Sequence, residues 1–403
     1  MPIYTGSADL PTLRGFWVGA LDAGLYAHFG KPARPDLTLI TSEIPCAAAA
    51  VFTTNLVKAA PVLLDQARLA ANPNGIRAVL INTASANACT GERGYANALQ
   101  SAVWAAAALG CAEEQVLVMS TGVIGTQLPM PRMQQGIAQL VPQLGNTPDH
   151  WQAAAKAIMT TDTRDKLAHS TYNGAALIGI AKGAGMIAPN MATMLSIIAT
   201  DAQVAPPLLQ EMLSRAAEQS FNRIVVDGDM STNDTLLILA NGASGVLIDE
   251  SNARHFEATL TELCTVLAQA IVRDGEGVTK FITLHISGAR TAAEARQIGN
   301  AIATSPLVKT AFYGGDPNWG RILAAAGRSG VALDPMRLAL WYNDLQLVAD
   351  GTPLNYDEAR AKLHAQQAEI MVRLDLGAGA AESVIWTCDL SHDYVSINGH
   401  YRT

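Results

Sequence analysis

Short apolar runs alternate with longer amphipathic stretches along this chain. Residues 77–82 (RAVLIN), 115–119 (QVLVM) and 235–240 (TLLILA) are nearly continuous apolar runs of strand length, the pattern of strands covered on both faces. Between the first two, 96–109 (ANALQSAVWAAAAL) reads as an Ala-rich helix that Gly110 ends. Residues 207–219 and 254–272 space their apolar positions as amphipathic helices do. After Gly275 the alternation resumes. It gives a strand at 281–286 (FITLHI), a helix from about 291 to 303, strands at 338–342, 345–349 and 369–376 (EIMVRLDL), and an apolar run at 383–388. A layered α/β fold follows, with helices packed on sheets. No internal repeat, low-complexity tract or long linker interrupts it. The turn 273–277 (RDGEG) is the candidate boundary between two lobes, the second starting near residue 280.

Composition narrows this picture. With 403 residues, 49% of them hydrophobic, the chain can bury a large core and is too long for one small domain. The net charge of −8 and the absence of a Lys/Arg run exclude nucleic acid as a partner, and weakly favour a cationic substrate. Cys46, Cys89, Cys111, Cys264 and Cys388 are odd in number, widely spaced and without a CxxC pair, so buried free thiols in a reducing compartment are expected. The N-terminal residues show no basic region followed by an apolar run, and no stretch approaches the ~18 apolar residues of a membrane span. A soluble cytoplasmic protein is the expectation. The scattered histidines form no HExxH or HxH pattern, so no metal site is expected.

Four stretches are unusual for plain scaffolding. In 182–195 (KGAGMIAPNMATML), glycines and a proline precede Ala192, Thr193 and an apolar run containing Leu195, Ile197 and Ile198. Gly183, Gly185 and Pro189 can shape a strained turn. Such a turn suits an N→O acyl shift, in which the Thr193 hydroxyl attacks the Ala192 carbonyl. Hydrolysis then frees the Thr193 α-amine to serve as base for its own hydroxyl. On spacing alone, a threonine that merely opens a strand is the commoner reading. In 120–125 (STGVIG), the Thr121 hydroxyl and the Gly122 N–H can point two donors at one oxygen, as an oxyanion hole does. A plain turn is the alternative, and the P-loop pattern is absent. In 273–280 (RDGEGVTK), Glu276 sits between glycines, either facing a ligand ammonium or simply solvated. In 314–321 (GGDPNWGR), Asp-Pro-Asn makes a turn, and Trp319 and Arg321 read as packing or capping residues. No GxSxG or GxGxxG element is present.

Together these stretches resemble the ornithine acetyltransferase family, also called glutamate N-acetyltransferase. The resemblance spans the chain: VFTTN (51–55), NACTG (87–91), STGVIG (120–125), TTDT (160–163), AKGAGMIAPNMATML (181–195), FNRIVVDGD with STNDT (221–235), RDGEGVTK (273–280), GDPNWGR (315–321) and CDLSHDYVSINGHYRT (388–403).

The resemblance implies a layered sandwich like that of self-cleaving aminopeptidases. It implies a precursor that cuts itself into an α chain (1–192) and a β chain (193–403), which remain together as α2β2. It also implies a ping-pong reaction in arginine biosynthesis. Thr193 would take acetyl from N-acetyl-L-ornithine and pass it to L-glutamate, with acetyl-CoA as a further donor in some members and no cofactor. By the same resemblance Thr121 and Gly122 stabilise the oxyanion, and Thr160, Lys182, Glu276, Asn398 and Thr403 contact substrate. A one-residue shift would exchange Thr160 with Thr161. A self-processing aminopeptidase or amidohydrolase of similar fold is the competing activity. The chain departs from the family pattern at 83–85, Thr-Ala-Ser for Ser-Gly-Asn, and at Met230, where threonine is usual. The first departure is expected near the site without touching the nucleophile or the oxyanion pair.

Overall fold

The computed structural model describes residues 4–188 and 194–400. Its first lobe contains strands β1 (Tyr4–Thr5), β2 (Phe16–Leu21), β3 (Leu37–Phe52), β4 (Ile76–Asn82), β5 (Val116–Ser120), β6 (Lys166–Tyr172), β7 (Ala175–Lys182), β8 (Leu195–Thr200), β9 (Gln203–Val204), β10 (Thr235–Ala240) and β11 (Leu247–Ile248). The hydrogen-bonded order is β1-β6-β7-β8-β10-β3-β4-β5, with β2 added to β3 and a separate β9–β11 pair. Strands β8 and β10 therefore lie between β7 and β3.

The long strand β3 creates the two layers. Its first half pairs with β2 and β4 and its second half with β10, and the register slips between Thr41 and Cys46. Strand alternation then divides the core. Leu237 and Leu239 of β10 face inward, with Ile178 and Ile180 of β7, Val79 and Ile81 of β4, and Leu117 of β5. Leu236 and Ile238 face the opposite way, against Leu213, Phe256 and Leu260 of the helices Pro206–Gln219 and Ala253–Arg273. On the other outer face, helices Ala60–Ala71, Gly91–Leu109 and Met130–Leu140 cover β4 and β5 through residues such as Leu64, Ala102 and Ile137. The result is the layered α/β sandwich that the sequence predicts.

The apolar runs become strands within a residue or two of their predicted limits, except the run 281–286, whose strand continues three residues further to Ala289. The Ala-rich helix starts five residues earlier than predicted, at Gly91, because the polar Gly91–Tyr95 turn carries no apolar periodicity. It ends as predicted at Gly110, which adopts φ 68°.

A second sheet follows, built from β12 (Phe281–Ala289), β13 (Ala339–Tyr342), β14 (Leu345–Ala349), β15 (Thr352–Pro353), β16 (Glu369–Asp375) and β17 (Ala381–Cys388), in the order β15-β14-β13-β16-β12-β17. Its own core joins Ile282, Leu284, Leu374 and Ile385 to Ile298 and Phe312. The GDPNWGR segment is structural here. Asn318 accepts from the Arg321 N–H at 3.0 Å and caps the helix Trp319–Gly327, while Trp319 Nε1 donates to Tyr356 Oη at 3.2 Å.

Cys46, Cys264 and Cys388 are buried free thiols. Cys89 is exposed and Cys111 half-buried, which corrects the expectation that all five are buried. Cys89 is the one exposed residue of the otherwise buried stretch 81–90, in a left-handed backbone conformation with φ 54°. Among the described residues, no helix is long and apolar enough to cross a membrane.

Candidate active site

Strand β7 ends at Lys182, which stands opposite Leu195 at the start of β8. The intervening segment, 183–194, contains the Ala192–Thr193 junction. Ala192, Thr193 and the chain end at Thr403 lie outside the described residues. Around the end of β7 the fold leaves a cavity of about 330 Å3, lined by Thr121, Gly122, Thr160, Lys182, Glu276 and Asn398. Segments far apart in sequence thus meet at one place. Thr160 and Thr161 both line the cavity, so the two-way reading of TTDT stays open.

A buried charge network positions three of these segments. The Asp162 carboxylate accepts from Lys166 Nζ at 2.7 Å, from the Gly183 N–H at 2.7 Å and from the Thr160 N–H at 2.9 Å. Lys166 also donates to Asp274 Oδ2 at 2.6 Å. Asp274 in turn accepts from the Thr163 N–H, the Thr163 hydroxyl and the Arg164 N–H. One chain of contacts therefore ties the 160–164 loop, the start of the 183–188 segment and the turn that carries Glu276. Burial raises the Asp162 carboxyl, but the Lys182 and Lys166 ammoniums and the Gly183 N–H outweigh it and hold it well below its ordinary range.

Lys182 is fully enclosed, with its Nζ 3.4 Å from Thr121 Oγ1. Burial lowers its pKa. Asp162, Asp234 and Glu276 oppose that shift, while Lys166 adds to it. Glu276 is also buried, which removes the solvated one of its two local readings. Its N–H donates to Ala184 O at 2.8 Å, and its Oε2 accepts from the Asn398 side-chain amide at 2.8 Å. A Cβ at Gly185 would crowd the Glu276 carboxylate, so a larger residue there has to push that side chain aside.

The oxyanion candidates rest directly on the departure at 83–85, contrary to the expectation that it leaves the pair untouched. Ser85 bridges Thr121, and Ala84 O accepts from the Val123 N–H at 3.2 Å. The contact is made by backbone, which a comparison of side chains does not reveal. Gly122 adopts φ 136°, and a Cβ there would lie 2.6 Å from both Ala84 O and Ser85 N. Gly122→Ala should therefore cost about 2–4 kcal/mol of stability, measured by urea unfolding. Ala84 has φ 72° in the left-handed region, where the resembled family has glycine. Ala84→Gly should leave stability unchanged or raise it by up to about 1 kcal/mol, because relief of side-chain strain outweighs the extra freedom of the unfolded chain. Calorimetric melting of the two proteins checks this.

Several lining residues carried no predicted role. Asn233 uses its side-chain amide to hold Ala86 O at 2.7 Å and Ser120 O at 2.8 Å, joining the two loops beside Thr121 and Gly122. Asp227 accepts from the Met186 N–H at 2.6 Å, the Ile187 N–H at 2.9 Å and the Tyr394 hydroxyl at 3.2 Å. It thereby ties the approach to the junction to the C-terminal helix His392–His400. Burial pushes the Asp227 carboxyl above its ordinary value. The available signal was the cluster of Asp, Ser, Thr and Asn at 227–234 just before an apolar strand, a composition too polar for a simple turn into β10. Among the described residues no group of His, Cys, Asp and Glu has the arrangement of a metal site.

Residues 21–403 match the family model described as the ArgJ family. The chain is 48% identical to the arginine biosynthesis bifunctional protein ArgJ of Geobacter sulfurreducens, over 97% of this chain and 100% of that one. It is 47% identical to the protein of the same name from Thermotoga neapolitana, over 94% and 98%. A crystal structure of the Bacillus halodurans arginine biosynthesis bifunctional protein ArgJ, 36% identical, superposes with a TM-score of 0.51. It covers 52% of this chain and 100% of that chain.

Proposed function

The chain belongs to the ArgJ family, and from that premise we propose that it is an acetyltransferase of arginine biosynthesis that cuts itself at Ala192–Thr193 and moves acetyl from N-acetyl-L-ornithine to L-glutamate. The carrying observation is the cavity at the two ends of the junction segment, which gathers a candidate oxyanion pair, a buried lysine and a buried carboxylate.

In the processing step the Thr193 hydroxyl adds to the Ala192 carbonyl. The C–N bond breaks, and the nitrogen takes the hydroxyl proton. Water then hydrolyses the ester, leaving an Ala192 carboxylate and a Thr193 α-amine. In the transfer step the α-amine accepts the hydroxyl proton as Thr193 Oγ attacks the acetyl carbon. The Thr121 hydroxyl and the Gly122 N–H donate to the oxygen that becomes negative. The proton passes to the departing ornithine nitrogen, and acetyl-Thr193 remains. The α-amine of glutamate attacks that ester and restores the hydroxyl. Thr160, Lys182, Glu276, Asn398 and Thr403 hold the substrates, with carboxylates pairing with ammoniums and Lys182 with a carboxylate. The fragments stay together as α2β2. Acetyl-CoA serves as a second acetyl donor, and no cofactor takes part.

The test uses the purified protein. Denaturing mass spectrometry should find fragments ending at Ala192 and beginning at Thr193. Ornithine release from N-acetylornithine should require glutamate beyond the first turnover. Equal steady release without glutamate would instead identify an amidohydrolase. Acetylglutamate formed from acetyl-CoA and glutamate checks the second donor.

A further inference from the structure

Both backbone polar groups of Thr160 are held by charged side chains. Its N–H donates to Asp162 Oδ2 at 2.9 Å, and its carbonyl accepts from Arg34 Nη1 at 3.2 Å. That carbonyl belongs to the planar peptide joining Thr160 to Thr161. Fixing it therefore fixes the direction of both threonines that line the cavity. The other end of the guanidinium reaches away from them. Arg34 Nη2 donates to Met159 O and, at 3.1 Å, to Tyr26 Oη. The same group lies 4.5 Å from the centre of the buried Tyr26 ring. A planar fork with five donors can grip two carbonyls and a hydroxyl at once, which an ammonium on a flexible stem cannot.

Tyr26 carries the contact onward. The Thr83 side chain and the Ala84 backbone reach its hydroxyl. Ala84 is the residue on which Gly122 and Val123 rest. Asp36 closes the unit from behind. Its carboxylate accepts from the Leu25 N–H at 2.6 Å and the Tyr26 N–H at 3.1 Å, and its carbonyl accepts from the Thr83 N–H at 2.9 Å. Two side chains thus span from the loop of Thr160 to the loop beneath Thr121 and Gly122. Resting on the transfer reaction argued above, we propose that Arg34 is a positioning residue that sets, through Tyr26, the distance between the threonines that seat the substrate and the donors that meet its carbonyl oxygen. The seated end and the reacting end of one small molecule must fit together, so an error of about 1 Å in that distance costs up to ~100-fold in rate.

Three full-length variants test this, assayed for acetylglutamate formation from N-acetylornithine and glutamate. Tyr26→Phe removes one oxygen and leaves Arg34 on the Thr160 carbonyl. It should melt near the wild-type temperature and keep KM within about two-fold, while kcat falls by about 10-fold. Arg34→Met frees the Thr160 carbonyl as well, so KM for N-acetylornithine should rise by about 10-fold and kcat should fall by at least as much as in Tyr26→Phe. The double variant should lose no more kcat than Arg34→Met alone, because both changes break one path. Losses that multiply would overturn the proposal, since the two residues would then act separately. Wild-type KM and kcat in Arg34→Met would also overturn it, and would leave Arg34 as a cap on the helix Pro148–Ala157. The wild-type protein separates the two levels of the argument. If it forms no acetylglutamate, the transfer reaction falls and this proposal with it; if it is active and the variants match it, this proposal alone falls.

Discussion

Thr193→Ala should yield one uncut chain and lower acetyl transfer by ~10^4-fold or more, the scale of removing a covalent nucleophile. Both losses have the same origin. The hydroxyl that attacks the Ala192 carbonyl in processing is the one that attacks the acetyl carbon in turnover, so alanine removes both reactions. Thr193→Ser keeps the oxygen, and should retain both at reduced rate. The measurements are intact mass under denaturing conditions and the initial rate of acetylglutamate formation. An uncut Thr193→Ala chain that still transfers acetyl at the wild-type rate would assign the nucleophile elsewhere. Calorimetry separates this result from fold damage, since the Ala variant should still melt cooperatively near the wild-type temperature.

The second large effect lies behind the cavity. Lys166→Met should cost about 3–5 kcal/mol, because it leaves Asp162 and Asp274 buried without the ammonium they share. The desolvation of each carboxylate is offset by Lys166 at 2.7 and 2.6 Å, and methionine fills the space without the charge. The sign of the pH dependence follows from Asp162, whose carboxyl is held below its ordinary range in the folded chain. Its contribution is present above the unfolded carboxylate pKa of about 4 and is lost as pH falls towards the depressed folded value. The deficit of the variant should therefore be widest near pH 7 and shrink below about pH 4. Urea unfolding at several pH values measures it. Activity should fall too, since Asp162 also holds the Thr160 and Gly183 amides that shape the cavity.

What the sequence conveyed and what it withheld divide along physical lines. Apolar runs such as TLLILA have one stable home, a strand covered on both faces, so their limits could be read directly. The hairpin β6–β7 was harder to see. Strand β6, KLAHSTY, mixes polar residues that the fold buries in pairs, such as Lys166 with its two carboxylates. The motifs identified the segments of the cavity, because Thr121, Gly122, Thr160, Lys182, Glu276 and Asn398 all line it. They did not reveal the residues that hold those segments. Asp162 and Asp274 act through long-range contacts that no local spacing encodes. Asn233 works by gripping two carbonyls from other loops, and the touch of Ala84 on Gly122 is made by backbone. The Glu276 turn shows the same limit: its glycines announce a tight bend, but only the fold decides that the bend points inward.

The position of β8 and β10 between β7 and β3 has a consequence for how a processed molecule would come apart and reform. Two strands from after the junction are interleaved with strands from before it, so a nick there removes one covalent link and no sheet pairing. Such a molecule should migrate in native gel filtration like the uncut one and separate only in denaturant. Its refolding, however, would change order. The uncut chain closes this sheet as a unimolecular event, whereas two fragments must first collide, so recovery becomes second order in protein and fails on dilution. Self-cleavage would thus make assembly historical: the molecule folds once as a single chain, and the rate of unfolding, more than the equilibrium, then sets its lifetime.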